Sequence, residues 1–246
     1  MKRTYPAAVL AACLVLGGIA PCFSAETVEG VALAIVYDTS GSMRDPVKDA
    51  QGRQSPKFEI ANRALLALAR QVQEFATNRS DGTARAIQAA LFTFQGEGAK
   101  AVVPMSPFDP AAFKRFAQSF RNPNGNTPLG NALAAAAQAV FRSPLSRKHV
   151  LVITDGINTA GPQPAAVLPR LKKEAERRQF PFSVHFIAFD VDAGVFGPVK
   201  AMGATVVSAA DERQLNKQLD FILETKILLE DEDPKPGRES RQSANP

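Results

Sequence analysis

Asp38-Thr39-Ser40-Gly41-Ser42 follows without a break on the apolar run Val31-Ala32-Leu33-Ala34-Ile35-Val36-Tyr37. The run reads as a buried strand, and the residues after it as a loop carrying one carboxylate and two hydroxyls. Positions 38, 40 and 42 alternate, so three oxygens can be aimed at one point. Hard divalent cations such as Mg²⁺ take oxygen ligands in near-octahedral array. Two further segments carry matching chemistry. Asn126-Thr127-Pro128-Leu129-Gly130 opens a helix and offers the Thr127 hydroxyl, and Val150-Leu151-Val152-Ile153-Thr154-Asp155-Gly156 is a second strand ending in a carboxylate.

Each piece alone has an ordinary explanation. Ser40 and Ser42 suit turns, Thr127 suits a helix cap, and Asp155-Gly156 suits a plain turn. Jointly, two carboxylates and three hydroxyls on strand-end and helix-start loops point to one oxygen-lined cation site. Few of the ligands are charged, so a bound ion stays electrophilic toward an incoming acidic group. Gly41 and Gly156 give the two loops room to bend.

In order and setting these pieces resemble the metal-ion-dependent adhesion site of von Willebrand factor type A domains. That pattern is Asp-x-Ser-x-Ser, then a separate Thr, then a separate Asp before Gly. Here it is filled by Asp38, Ser40, Ser42, Thr127 and Asp155, and the resemblance spans roughly residues 30–228. It implies a non-enzymatic binding module holding Mg²⁺, with Mn²⁺ or Ca²⁺ as alternatives. The ion keeps one position for an Asp or Glu of a protein partner, while Thr127 and Asp155 exchange between direct and water-mediated contact. The stretches from Arg44 to Lys57, Asn122 to Asn126 and Ile157 to Pro164 form the rim expected to set specificity.

Other chemistries find less support. A phosphatase of the haloacid dehalogenase type also places Asp after its first strand, but needs a second Asp two positions on as general acid. That position is Ser40, which cannot transfer protons comparably. No lysine is placed for that chemistry by sequence alone. A structural subunit of an envelope assembly is the other alternative. His149 and His185 lie in separate strand regions without zinc-helix spacing and read as structural. Asp190 and Asp192 follow a strand and could approach the site, but Asp-x-Asp at a strand end is also ordinary turn chemistry. The chain has neither a phosphate-binding Gly-rich loop with Lys nor a nucleophile elbow.

Alternating strand and helix patterns place these residues in an α/β fold. The expectation is a doubly wound, mostly parallel sheet of about six strands with one antiparallel edge strand and helices on both faces. Strands are expected at 31–37, 84–94, 101–104, 149–154, 182–190 and 204–208. Helices are expected at 56–76, 110–120, 127–141, 164–179, 195–202 and from Asp211 onward, and 45–56 as loop. Such sheets bind ligands at the carboxyl ends of their strands, where Asp38 and Asp155 both fall. Phe113, Phe116 and Phe120, at helical spacing, are expected in the core.

The 246 residues carry a formal charge of +5, too small to argue for nucleic acid. Residues 1–25 read as a signal peptide: Met1-Lys2-Arg3, an apolar stretch from Val9 to Ala20, then small residues near Ser24 and Ala25. The protein is therefore expected to be exported, periplasmic or secreted, and membrane-attached only if the leader is retained or lipidated at Cys13. Both cysteines, Cys13 and Cys22, lie in the leader, leaving no disulfide or thiol site in the mature chain. Residues 29–229 form the expected domain. The acidic, then Pro- and Ser-containing stretch 230–246 is expected to lack fixed structure.

Overall fold

The structure is a computed structural model that describes residues 28–77 and 85–228. The expected leader and C-terminal tail lie outside the described residues. The centre is β1 (Val28–Tyr37), apolar on both faces and buried from residue 30 on. A strand with no polar face must be covered on both sides, and it is. Val31, Leu33, Ile35 and Tyr37 join one core; Ala32, Ala34 and Val36 join the other.

The sheet is completed by β4 (Ile87–Gln95), β5 (Gly98–Pro107), β6 (Leu145–Thr154), β7 (Phe182–Phe189) and β8 (Thr205–Ala209). Its six strands run in the order β5-β4-β1-β6-β7-β8. All pairings are parallel except β4 with β5 at the edge. The expected architecture is thus observed. Helices α1 (Lys57–Thr77), α2 (Pro110–Ser119) and α6 (Glu212–Ile222) cover one face. Helices α3 (Leu129–Arg142), α4 (Pro164–Arg177) and the short α5 (Gly197–Ala201) cover the other. On that second face the alanines Ala132, Ala136 and Ala137 of α3 are buried with Ala32 and Ala34 of β1, so small residues on both elements let helix and sheet approach closely.

Some boundaries differ from expectation. The stretch taken as loop contains a hairpin, β2 (Pro46–Lys48) paired antiparallel with β3 (Gln54–Pro56). Asp49 closes its turn: Oδ1 accepts from the amides of Gln51 and Arg53, and Nε of Arg53 donates to Oδ2. Strands of three residues are too short for any periodicity to show. β6 begins at Leu145 rather than His149 because Val28 pairs with Leu145 ahead of an irregularity in β1. Its Lys148 is buried and donates to the carbonyls of Ser143 and Leu145. Burial lowers this amine's pKa to about 8.

Phe113 is fully buried, whereas Phe116 and Phe120 pack edge-on against Tyr37 at 5.4 and 5.7 Å. The Tyr37 hydroxyl donates to Phe58 O and Asn62 Oδ1, both at 3.0 Å. These contacts lock α1 and α2 onto the end of β1, immediately before Asp38. Asp211 caps α6, accepting from Gln214 N at 2.8 Å. Among the described residues no helix is long and apolar enough to cross a membrane.

Candidate metal centre at the carboxyl edge of the sheet

β1 and β6 are parallel neighbours, with Tyr37 paired to Ile153. Asp38 and Asp155 therefore leave the sheet side by side. Asp38 is fully buried. Its Oδ1 accepts from Ser40 N at 2.8 Å, and its Oδ2 accepts from Thr154 Oγ1 at 2.5 Å. The first contact is a local Asx turn that folds residues 38–40 back on the carboxylate. A single 3₁₀ turn, Gly41–Arg44, then brings Ser42 round. Ser40 Oγ and Ser42 Oγ lie 3.1 Å apart, and Ser42 Oγ donates to Asp155 Oδ1 at 2.8 Å.

Thr127 joins the same cluster but not as a cap. α3 starts at Leu129, and Pro128, at the cap position, makes no side-chain cap bond. Thr127 is instead buried, held through its backbone: its N donates to Thr159 Oγ1 at 2.8 Å, and its O accepts from Thr159 N at 3.0 Å. A methyl placed on Gly156 would sit 3.7 Å from Thr127 Oγ1 and 3.9 Å from Ser42 Oγ. Asp38, Ser40, Ser42, Thr127 and Asp155 thus converge at one edge of the sheet. Further hydrogen bonds tie their loops together: Gly41 N to Gly125 O, Asn124 N to Thr39 O, and Arg44 Nη2 to Asn122 Oδ1 at 2.7 Å.

Burial, and then the nearby charge of Asp155, raise the Asp38 pKa to about 6 despite its hydrogen bonds from Ser40 and Thr154. Among the described residues no basic side chain pairs with it. A wholly buried carboxylate without a counter-charge is costly, and the groups bonded to it, from Ser40 and Thr154, are neutral. The clustered oxygen donors fit a hard divalent cation, which would supply the missing positive charge.

Asp155 has a different environment. Lys57, the first residue of α1, reaches across so that Nζ lies 3.1 Å from Asp155 Oδ2 and 2.9 Å from Asp190 Oδ2. Lys57, the last residue of the expected rim stretch 44–57, is only 5% exposed. Burial opposes its charge, yet the hydrogen bond to Asp190 and the charge of Asp155 outweigh this and raise its pKa. Asp190 is more than a turn residue: it sits at the end of β7 in a left-handed conformation, φ 54°. Sequence reasoning missed Lys57 and Thr154 as parts of the site and left Asp190 between the site and a plain turn. One signal was available for Lys57: a lysine in the first turn opposes the helix dipole and calls for an acidic partner. By contrast His149 and His185 lie away from this edge on adjacent strands, rings stacked, with Nδ1 and Nε2 3.4 Å apart. Beside the site an apolar recess of about 370 Å³ is lined by Leu129, Ile157, Pro164, Val195 and Phe196 among others. Ile157 and Val195 are exposed there.

A mostly parallel sheet between two helical layers, with an oxygen-donor cluster at its carboxyl edge, defines a Rossmann-like α/β binding domain. The chain belongs to the von Willebrand factor type A domain family, whose model matches residues 33–158, just over half of the sequence. Domains of this family are protein-interaction and adhesion modules. No curated protein matches the sequence. Several solved structures share the fold. The PilB minor pilin from Streptococcus sanguinis is 18% identical with a TM-score of 0.56, covering 79% of this chain and 60% of its own. Proximal thread matrix protein 1 from the mussel byssus, in a structure with a zinc-occupied MIDAS motif, is 16% identical at 0.56, covering 81% and 48%. The von Willebrand factor domain of the pilus tip protein Mfa5 from Porphyromonas gingivalis is 12% identical at 0.56, covering 80% and 95%. The chain therefore spans about three fifths of the pilin and about half of the byssus protein.

Proposed function

We propose that this chain is a divalent-cation-dependent protein-binding module, exported from the cell, that takes an acidic group of a partner onto a bound Mg²⁺. Asp38, Ser40, Ser42 and Thr127 would hold the ion, with Asp155 contributing directly or through water. The observation that carries this reading is Asp38: fully buried, bonded only by neutral groups of Ser40 and Thr154, and lacking a basic partner among the described residues. The metal supplies a Lewis-acidic position for a carboxylate oxygen. The protein's own part is to hold the hydroxyls convergent and to present the surface around them. Three hydrogen-bonded loops make that surface, and the recess at Leu129, Ile157 and Val195 gives it an apolar patch next to the acidic-group position.

Catalysis is not part of the proposal. Ser40 stands where a phosphatase of this geometry would need an acid, and the buried ammonium of Lys57 is engaged by two carboxylates.

Titration calorimetry of Mg²⁺ into the full chain tests the site. Saturable binding is expected, and it should vanish in Asp38→Ala and in the double variant Ser40→Ala, Ser42→Ala. Capture of partners from native extract, compared with and without chelator, tests the bridge. Capture that survives both chelation and the double serine change defeats it. Mg²⁺-dependent phosphoester turnover that is lost in Asp38→Ala would favour the enzyme alternative.

A further inference from the structure

Asp38 and Asp155 are both buried at one site, yet only one has a counter-charge built into the protein. The ammonium of Lys57 touches Asp155 Oδ2 and Asp190 Oδ2, while Asp155 Oδ1 is taken by Ser42. Asp45 adds a further acidic charge near Asp155, and its backbone O accepts from Lys57 N. Lys57 is held at its backbone by Asp45 and at its tip by the ends of β6 and β7. It cannot swing into solvent without leaving Asp155 buried and unpaired, which is costly.

We infer that Lys57 is a built-in competitor of the metal: it neutralises Asp155 from inside the fold and so sets how tightly the site holds a divalent cation. The inference rests on the metal reading above. A fixed positive charge against one of the site's two carboxylates opposes a second, double charge at the same place, because Coulomb repulsion at such range is strong in a buried setting. Asp190 tunes the competitor. It shares the ammonium with Asp155, and its side chain is 40% exposed, so it draws part of the charge toward solvent. Lys57 is thus a positioning and affinity-setting residue, not a ligand.

The two residues make opposite predictions. Lys57→Met leaves Asp155 without its ammonium, so Mg²⁺ affinity should rise on the order of tenfold or more. Its melting temperature should drop in chelator and recover with Mg²⁺. Asp190→Asn retains the left-handed backbone, which Asn tolerates, and leaves the whole ammonium to Asp155. Mg²⁺ affinity should then fall a few-fold. A merely structural lysine would weaken binding in both variants or leave it unchanged in both. The experiment is calorimetric Mg²⁺ titration of the full-length wild type and both variants, with melts in chelator and in Mg²⁺. Opposite shifts support the competitor, as does binding by Lys57→Met where the wild type binds nothing. If the wild type binds and Lys57→Met binds no more tightly, the competitor is refuted and the metal site stands. If Lys57→Met fails to fold, Asp190→Asn decides alone: unchanged or tighter binding refutes it. If none of the three binds Mg²⁺, the metal reading fails and this inference with it.

Discussion

Ser42 Oγ donates to Asp155 Oδ1 across 2.8 Å, joining two loops 113 residues apart in sequence. This bond links the loop after β1 to the loop after β6. The site's other carboxylate, Asp38, is fully buried and has no basic partner among the described residues.

Asp38→Asn should therefore stabilise the metal-free protein. The Asp38 pKa is raised to about 6 from 3.8, so its ionised form disfavours folding above about pH 6, and that penalty fades as pH falls through 6. Removing the charge should add up to about 3 kcal/mol at pH 7.5 in chelator. The same change should abolish any Mg²⁺-induced rise in melting temperature. Parallel melts in chelator and in Mg²⁺ check both halves.

Acid should weaken the fold through the buried histidines. Burial lowers the His149 pKa to about 3 and the His185 pKa to about 4, below the ordinary 6.5. The unfolded chain takes up protons below about pH 6.5 that the folded pair refuses. Their stabilisation is complete above that pH and falls by about 1.4 kcal/mol per pH unit for each histidine as pH drops. Asp38 works in the opposite sense, so the quantity to measure is the difference in unfolding free energy between wild type and His185→Gln. It should shrink as pH falls from 7 to 5.

Glu212 fastens the rim hairpin. Its Oε1 and Oε2 accept from Arg63 at 2.7 and 2.8 Å, and Oε2 also accepts from Ala50 N at 2.8 Å. Glu212→Ala leaves a backbone amide and a guanidinium without their acceptor and should cost about 2–3 kcal/mol. Amide exchange in residues 46–56 should quicken more than in α3. Uniform quickening would mean that Glu212 only staples α6 to α1.

Gly130 sets the start of α3. A Cβ there would lie 2.0 Å from Pro162 O, backbone that cannot rotate away. Gly130→Ala should cost about 1–3 kcal/mol. Because it pushes α3 from the loop that also holds Thr127, it should weaken Mg²⁺ binding as well. Unfolding in denaturant and calorimetry read the two effects separately.

The sequence alone determined the alternation of strands and helices, the central place of β1 and the oxygen chemistry of the site. Those are local properties: residue type, periodicity and the position of a polar residue at the end of an apolar run. It left Thr127 open between cap and ligand, and geometry resolved the cap question, since α3 begins two residues later and the hydroxyl faces Gly156. Only the tertiary structure brought Lys57 to Asp155 and Asp190, residues 98 and more positions away. A lysine after Pro56 looks solvated in isolation. Where its ammonium lies depends on how the fold brings the start of α1 to the residues that follow β6 and β7, and long-range electrostatic partners leave no periodic trace in a chain.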